Sequence, residues 1–171
     1  MDAAGETADS VFGVGMVSAG TPVIIAKAYT TDLVAVVQDA SQKDYAPVIL
    51  WPYSETEAPF APWLLCDLGD GSYEINPVTS TTKPQGCLDV AHGGTADGDQ
   101  ITQYHWHKGP NQRWRLLPRA DGFLAFVAGQ SGKCLTAQGG PGAQVGPAEG
   151  LQLTQYGRDD SNRDQAWALV L

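Results

Sequence analysis

Short apolar and alternating runs, separated by glycine, proline, aspartate and serine, make up most of the chain. Segments such as VILW, ITQY and LTQY are rich in β-branched and aromatic residues and are bounded by turn-forming residues, a pattern typical of β-strands. No segment repeats its apolar residues at helical spacing for long enough to indicate a helix. The 20 glycines and 11 prolines fit a chain with many turns, so the pattern predicts an all-β fold.

Two sets of aromatic residues recur with a period of about fifty residues. One set is spaced 51 and 53 residues apart and consists of Trp63, Trp114 and Trp167. The other is spaced 53 and 52 residues apart, follows the alternating segments, and consists of Trp51, Tyr104 and Tyr156. Because one such unit cannot bury its own apolar face, three repeats are expected to close around a common core.

Each repeat is predicted to hold four strands of one domain. In the first repeat they cover residues 23–28, 33–37, 48–53 and 63–66; in the second, 73–78, 87–90, 100–106 and 114–117; in the third, 123–127, 134–137, 151–156 and 167–171. The repeats span about 11–68, 69–119 and 120–171. Residues 11–18 form either an extra strand or the true first strand followed by an insertion.

The most specific motifs lie in residues 86–114: CLDV, the aromatic Tyr104, and PNQRW. They resemble one repeat of the ricin B-chain-like β-trefoil lectins, in which each repeat closes with Gln-x-Trp. The resemblance implies a β-trefoil, a six-stranded barrel capped by three hairpins with pseudo-threefold symmetry. It also implies a lectin without catalytic activity, similar to soluble fungal fruiting-body lectins with a proposed role in defence.

A site for a neutral sugar needs an aromatic ring to stack on the apolar face, a carboxylate to accept from neighbouring hydroxyls and an amide to fix their positions. The second repeat has all three. The resemblance assigns Asp89 to vicinal hydroxyls, Tyr104 to stacking and Asn111 to a further hydroxyl. His107 matches a position that contacts sugar, and Gln112 is expected to be a structural partner of the aspartate or the backbone. The set implies terminal galactose or N-acetylgalactosamine, with other glycans left open.

The other repeats depart from this pattern. In the third, Thr136 replaces the aspartate and Asp164 the asparagine, so that a weaker, rearranged site would use Tyr156, Asp164 and Arg158. The first repeat keeps only the aromatic Trp51, and no binding is expected there.

Three residues near the motif lie outside it. Trp106 is expected to pack against its surroundings, with a larger sugar platform as the alternative. His92 is expected to be solvated, with lining of the cleft as the alternative. His105 and His107 could reach one metal from the same strand, but no third ligand is evident, and no metal site is predicted.

Cysteine and aspartate usage adds little further chemistry. Cys66, Cys87 and Cys134 are too few and too scattered for a disulfide framework and are expected to be free, buried thiols. Asp97 and Asp99 flank a glycine and indicate a hairpin turn rather than a calcium loop. No cofactor is predicted.

Charge and composition limit the partners. The formal net charge of −9 argues against nucleic acid and anionic membranes. The chain starts without a signal-like segment and has no apolar run long enough to span a bilayer, so a cytoplasmic location or non-standard secretion is expected. Glycans on glycoproteins or glycolipids are the predicted partners, with a homodimer as one route to avidity.

Catalysis is not predicted. Glycoside hydrolysis needs two carboxylates flanking one bond, whereas Asp89 and Asp164 belong to different repeats. Three alternatives to a free-standing lectin stay open: a β-trefoil protease inhibitor presenting residues 54–62, a carbohydrate-binding module of a larger enzyme, and a trefoil that binds a protein partner.

Overall fold

The computed structural model describes residues 20–54, 60–138 and 147–171. In the first repeat the strands are β1 (Ile24–Lys27), β2 (Leu33–Val37), β3 (Ala46–Pro52) and β4 (Trp63–Asp67). The second has β5 (Tyr73–Pro77), β6 (Gly86–Val90), β7 (Ile101–His105) and β8 (Trp114–Pro118). The third has β9 (Leu124–Ala128), β10 (Cys134–Thr136), β11 (Thr154–Tyr156) and β12 (Trp167–Val170). The predicted all-β fold with four strands per repeat is confirmed; the question of residues 11–18 lies outside the described residues.

Six of these strands form a closed antiparallel barrel. The pairs run from β4 through β5, β8, β9 and β12 to β1. A bridge between Val23 and Trp63 joins the two ends and closes the barrel. The other six strands form the hairpins β2–β3, β6–β7 and β10–β11. The architecture is the β-trefoil that the resemblance implies. No helix in the described part of the chain is long and apolar enough to cross a membrane.

A buried tryptophan at the start of the last strand ties each repeat together. Its indole N–H donates to a main-chain carbonyl in the first strand of the hairpin of the same repeat. The bonds run from Trp63 to Ala35 (2.8 Å), from Trp114 to Leu88 (2.9 Å) and from Trp167 to Leu135 (3.0 Å). Because buried polar groups need partners, these bonds fix each hairpin on the barrel while the indole rings fill the core.

The loop of each hairpin reaches the following repeat. A main-chain N–H at the end of the loop donates to a carbonyl in the third strand of that repeat. The bonds run from Tyr45 to Gln103 (2.8 Å), from Gly98 to Gln155 (2.7 Å) and from Gly150 to Leu50 (2.7 Å). Tyr45, Gly98 and Gly150 are therefore equivalent positions of the three repeats.

Several strands are shorter than predicted by one or two residues, and β11 is shorter by three. The sequence pattern predicts residues 151–156, whereas β11 begins at Thr154. The preceding residues bond to the other hairpins instead: Leu153 donates its N–H to Val48 (2.9 Å) and accepts from Ile101 (2.9 Å). This segment therefore joins the three hairpins rather than lengthening its own.

The expectation of buried thiols is wrong for one cysteine. All three are free, and Cys87 and Cys134 are buried, but Cys66 is exposed. It follows the buried Leu65 along β4, and the alternation of a strand turns its side chain to the other face. Burial raises the pKa of the Cys134 thiol to about 11.

Replacing Trp114 with phenylalanine should destabilise the fold. The change removes the donor to the Leu88 carbonyl and leaves a smaller ring in the core, a loss of about 2–4 kcal/mol in the free energy of unfolding. Urea denaturation measures it. The control is Trp51→Phe, at a tryptophan that is 40% exposed, where a change within about 0.5 kcal/mol is expected. Equal losses at the two positions would contradict the role given to the indole bond.

Candidate functional site

A cleft of about 460 Å³ opens on the second repeat. Four of the five residues predicted for the main site, Asp89, Tyr104, His107 and Asn111, line it. The fifth, Gln112, is fully buried beneath them. The fold thus gathers the predicted set, which is spread over 24 positions of the sequence, into one surface.

Asp89 is the centre of a network of amide hydrogen bonds. Its Oδ2 accepts from Asn111 Nδ2 (3.0 Å) and from Gln112 Nε2 (2.9 Å). Asn111 uses its second amide hydrogen on the Val90 carbonyl (3.1 Å), so only its carbonyl oxygen is left to accept a bond. Oδ1 of Asp89 is buried and has no hydrogen-bond partner among the described residues.

Local sequence explains how the two amides reach the carboxylate. Asn111 and Gln112 lie in the short 3-10 turn Pro110–Gln112, just before β8. Gln112 also donates to the His105 carbonyl (2.9 Å) and accepts from the His107 N–H (2.9 Å), which holds the turn against the end of β7. A Cβ at Gly109 would lie 2.3 Å from His107 Cε1 and 2.7 Å from Asn111 Oδ1, so a side chain here would displace these two cleft residues.

Burial disfavours the ionised form of the Asp89 carboxyl in the folded protein. Burial raises the pKa of its carboxyl to about 7, although the bonds from Gln112 and Asn111 and the charge of His105 oppose the rise. The nearby Asp44 adds to it. A carboxyl that is 1% exposed, faces a cleft and has a strongly shifted pKa is typical of functional sites.

The cleft also contains residues that the sequence pattern does not assign to it. Tyr45 comes from the loop between β2 and β3 of the first repeat, so a motif confined to the second repeat does not include it. His92 is exposed, as expected, and it also lines the cleft, the alternative considered for it; it stacks on Tyr45 with ring centroids 4.6 Å apart. Its backbone is left-handed, with a φ of 57°. His105, assigned no contact with sugar, lies 4.3 Å from Tyr104 between ring centroids and contacts Asp44 (Nδ1–Oδ2, 2.7 Å).

Trp106 lies beside the cleft rather than in its lining. It is partly buried, and the guanidinium carbon of Arg113 lies 5.7 Å from the centroid of its ring. Trp106 therefore packs against its surroundings, as expected, and does not extend the lining of the cleft.

The third repeat differs from the second at the positions that correspond to the cleft. Thr136, at the position of Asp89, is buried, and its hydroxyl donates to the Cys134 carbonyl (2.7 Å). Arg158 forms an ion pair with Asp160 (2.9 Å). Burial raises the pKa of Asp164, and the charge of Lys27 opposes this rise. Tyr156 keeps a partly exposed ring, but this repeat lacks a carboxylate at the position of Asp89.

The segment considered for calcium has protein partners. Asp97 accepts from Lys133 Nζ (2.8 Å) and from the Gly157 N–H (2.9 Å), and Asp99 accepts from the Ala96 N–H (2.8 Å). Asp97 lies in a turn. Within the described ranges, no group of three His, Cys, Asp or Glu residues could hold a metal ion.

The model of the ricin-type β-trefoil lectin domain-like family matches residues 12–104 and 61–147 of the chain. The chain belongs to this family. Membership agrees with the barrel, the three hairpins and the buried tryptophans, and the fold of this ricin-type trefoil suggests carbohydrate binding. Comparison with curated proteins gives no match.

Solved structures similar to this ricin-type trefoil include a designed threefold-symmetric protein, ThreeFoil. It is 31% identical with a TM-score of 0.75, over 88% of this chain and 98% of that one. An exo-β-1,3-galactanase from Clostridium thermocellum is 24% identical with a TM-score of 0.74, over 91% and 31%. The Polyporus squamosus lectin, bound to a human-type influenza-binding epitope, is 19% identical with a TM-score of 0.67, over 90% and 49%. The last two likenesses show the fold alone.

Replacing Asp89 with asparagine should stabilise the trefoil at alkaline pH. The pKa of Asp89 is about 7 in the folded protein and about 3.9 in an unfolded chain. The folded state therefore binds more protons between these values, and its stability falls as pH rises through them. The variant escapes this loss and should be more stable than the wild type at pH 8 by roughly 1–4 kcal/mol, with little difference at pH 3.

Urea unfolding of both proteins at pH 3 and pH 8 measures the effect. Glu149→Gln, which removes an exposed carboxyl, serves as the control and should change stability by less than about 0.5 kcal/mol at either pH. If Asp89→Asn is instead less stable than the wild type at pH 8, the ionised carboxylate supports the fold, and its assignment to ligand binding loses this argument.

Proposed function

We propose that the protein is a non-catalytic lectin that binds glycans ending in galactose or N-acetylgalactosamine through the cleft of the second repeat. The observation that carries the proposal is the carboxylate of Asp89, buried at the base of the cleft with one oxygen unpartnered, beside the partly exposed Tyr104. A buried acceptor without a donor costs about 1–3 kcal/mol. A hydroxyl group of a ligand would supply the missing donor.

The polar groups of the cleft suit a sugar that has both hydroxyls and an apolar face. Oδ1 of Asp89 and the carbonyl oxygen of Asn111 are acceptors, whereas the imidazole of His107 can donate. The ring of Tyr104 supplies a surface for the C–H face of a pyranose. Selection of galactose-type sugars rests on the likeness of this set to that of ricin-type lectins, in which the aspartate holds two neighbouring hydroxyls.

The carboxyl groups support a binding role rather than hydrolysis. Asp89 is the one carboxylate among the cleft-lining residues that the structure describes, and glycoside hydrolysis uses a pair that flanks the bond. The nearby Asp44 is engaged by the imidazole and N–H of His105. A single shallow site of this kind corresponds to dissociation constants of about 0.1–10 mM for a monosaccharide, so multivalent glycans or a homodimer would raise avidity.

A carbohydrate-binding module of a larger protein is the second candidate. The chain spans only 31% of the galactanase and 49% of the fungal lectin to which it is similar, so the same fold occurs in proteins with further domains. The protease-inhibitor alternative relies on residues 54–62, of which 55–59 lie outside the described residues.

A glycan array should show binding by the wild type to galactose-terminated glycans and its loss in Asp89→Asn. The isosteric amide keeps the shape but removes a charged acceptor, with an expected loss of at least tenfold in affinity, or about 1.5–3 kcal/mol. Tyr156→Ala, which removes the equivalent of Tyr104 from the third repeat, is the matched control and should bind as the wild type does. Loss in Tyr156→Ala with retention in Asp89→Asn would move the site to the third repeat. A wild type that binds no glycan would contradict the lectin proposal.

The affinity for the glycan should also rise with pH. Only the ionised carboxylate of Asp89 offers its full acceptor capacity, and its pKa is about 7. Affinity should therefore rise by several-fold between pH 6 and pH 8 and level off above. Calorimetric titrations with one galactose-terminated glycan across this range measure the change, and a flat profile would contradict ionised Asp89 as the ligand.

A further inference from the structure

Tyr45 stands where the fold uses glycine in the other two repeats. Its equivalents, defined by the loop hydrogen bond that each repeat makes to the next, are Gly98 and Gly150. All three have left-handed backbone conformations, with φ of 64° at Tyr45, 86° at Gly98 and 81° at Gly150. Glycine adopts this conformation without steric cost, whereas a residue with a Cβ is strained there.

Burial of the Tyr45 side chain in the core does not offset the strain of its backbone. The side chain is 45% exposed, so it buries little apolar area compared with a core residue. A glycine here would satisfy the turn as it does in the other loops. Strained residues that the fold does not require are concentrated at ligand-binding sites, and this one lines the cleft.

The loop that carries Tyr45 is firmly attached to the second repeat. Asp44 accepts from the N–H of His105 (2.8 Å) and contacts its Nδ1 (2.7 Å). The amide of Gln103 donates to the carbonyls of Ser41 (2.8 Å) and Lys43 (3.2 Å). These bonds fix the residues that precede Tyr45, and the N–H of Tyr45 itself donates to the Gln103 carbonyl (2.8 Å), so the backbone that carries its ring is held against the second repeat.

The rings of the cleft form a continuous row that begins at His92. Tyr45 stacks on His92 with an interplanar angle of 28° and lies 4.8 Å from Tyr104 at an angle of 57°. Tyr104 in turn lies 4.3 Å from His105. A pyranose is similar in size to one aromatic ring, so a sugar stacked on Tyr104 above Asp89 leaves the Tyr45 and His92 end of the row uncovered.

We propose that Tyr45 is a specificity-determining residue that contacts the second sugar of the glycan, next to the one held by Asp89 and Tyr104. The site is then shared by two repeats, and its ligand is a glycan of two or more rings rather than a monosaccharide. The parts of Tyr45 and His92 that do not stack on each other provide the apolar surface for the second ring. This inference rests on the proposed function, because it extends the site that contains Asp89.

The test compares a monosaccharide with an oligosaccharide. Calorimetric affinities for methyl galactoside and for the best galactose-terminated oligosaccharide of the array are measured in the wild type and in Tyr45→Gly, which restores the residue type of the other loops. Tyr45→Gly should lose about fivefold to tenfold in oligosaccharide affinity and less than twofold in monosaccharide affinity. Its folding stability should equal or exceed that of the wild type.

Tyr29→Gly is the matched control. Tyr29 is also a half-exposed tyrosine in the left-handed conformation, with 48% exposure and a φ of 62°, but it packs on Phe123 outside the cleft. Its replacement should leave both affinities unchanged. A result in which Tyr45→Gly binds both ligands as the wild type does would overturn the proposal, and so would an equal loss for the two ligands.

Failure of the proposed function would give results that differ from failure of the proposal on Tyr45. In that case the wild type binds no glycan, or Asp89→Asn retains the affinity of the wild type for both ligands. If Asp89→Asn loses both ligands while Tyr45→Gly keeps both, the site in the second repeat stands and only the contribution of the first repeat is excluded.

Discussion

The bond from a buried indole to a hairpin carbonyl is the interaction on which the rest of the structure depends. It occurs once in each repeat, at Trp63, Trp114 and Trp167, and links the barrel to the hairpin that covers it. In the second repeat it also builds the cleft. Leu88, which accepts the bond, precedes Asp89, and Trp114, which donates it, follows the turn that carries Asn111. Fixing one pair therefore brings the carboxylate and its amides together.

Because these bonds do not involve the cleft residues, a repeat can keep the fold and lose the ligand. The third repeat retains Trp167 but has Thr136 in place of the aspartate, and Thr136 satisfies its hydroxyl within its own strand. The second repeat keeps Asp89, with its raised pKa and an unpartnered oxygen. With this raised pKa, the ionised carboxylate is expected to lower the stability of the fold at alkaline pH, and we propose ligand binding as the reason for its presence.

Periodicity was sufficient to predict three repeats, because the residues that build the barrel recur at fixed intervals, whereas the β-trefoil arrangement followed from the resemblance to a known family. The likeness of CLDV and PNQRW to a known repeat was sufficient to predict that Asp89, Tyr104, His107 and Asn111 lie in one site. Neither the periodicity nor the motif predicts the contacts between repeats. Tyr45 lies in another repeat and is held 4.8 Å from Tyr104, between ring centroids, by contacts between the two repeats such as that of Asp44 with His105, which no local pattern encodes. The burial of Asp89, and hence its shifted pKa, also depends on packing that the sequence does not display.

NMR titration of the labelled protein with a galactose-terminated disaccharide tests the site in the second repeat most directly. We expect the largest chemical-shift changes at the backbone amides of Asp89, Tyr104, His107 and Asn111, with a second group at Tyr45 and His92. Changes centred on Tyr156 and Asp164, or no saturable changes at millimolar ligand, would contradict the central claim that the second repeat carries the binding site.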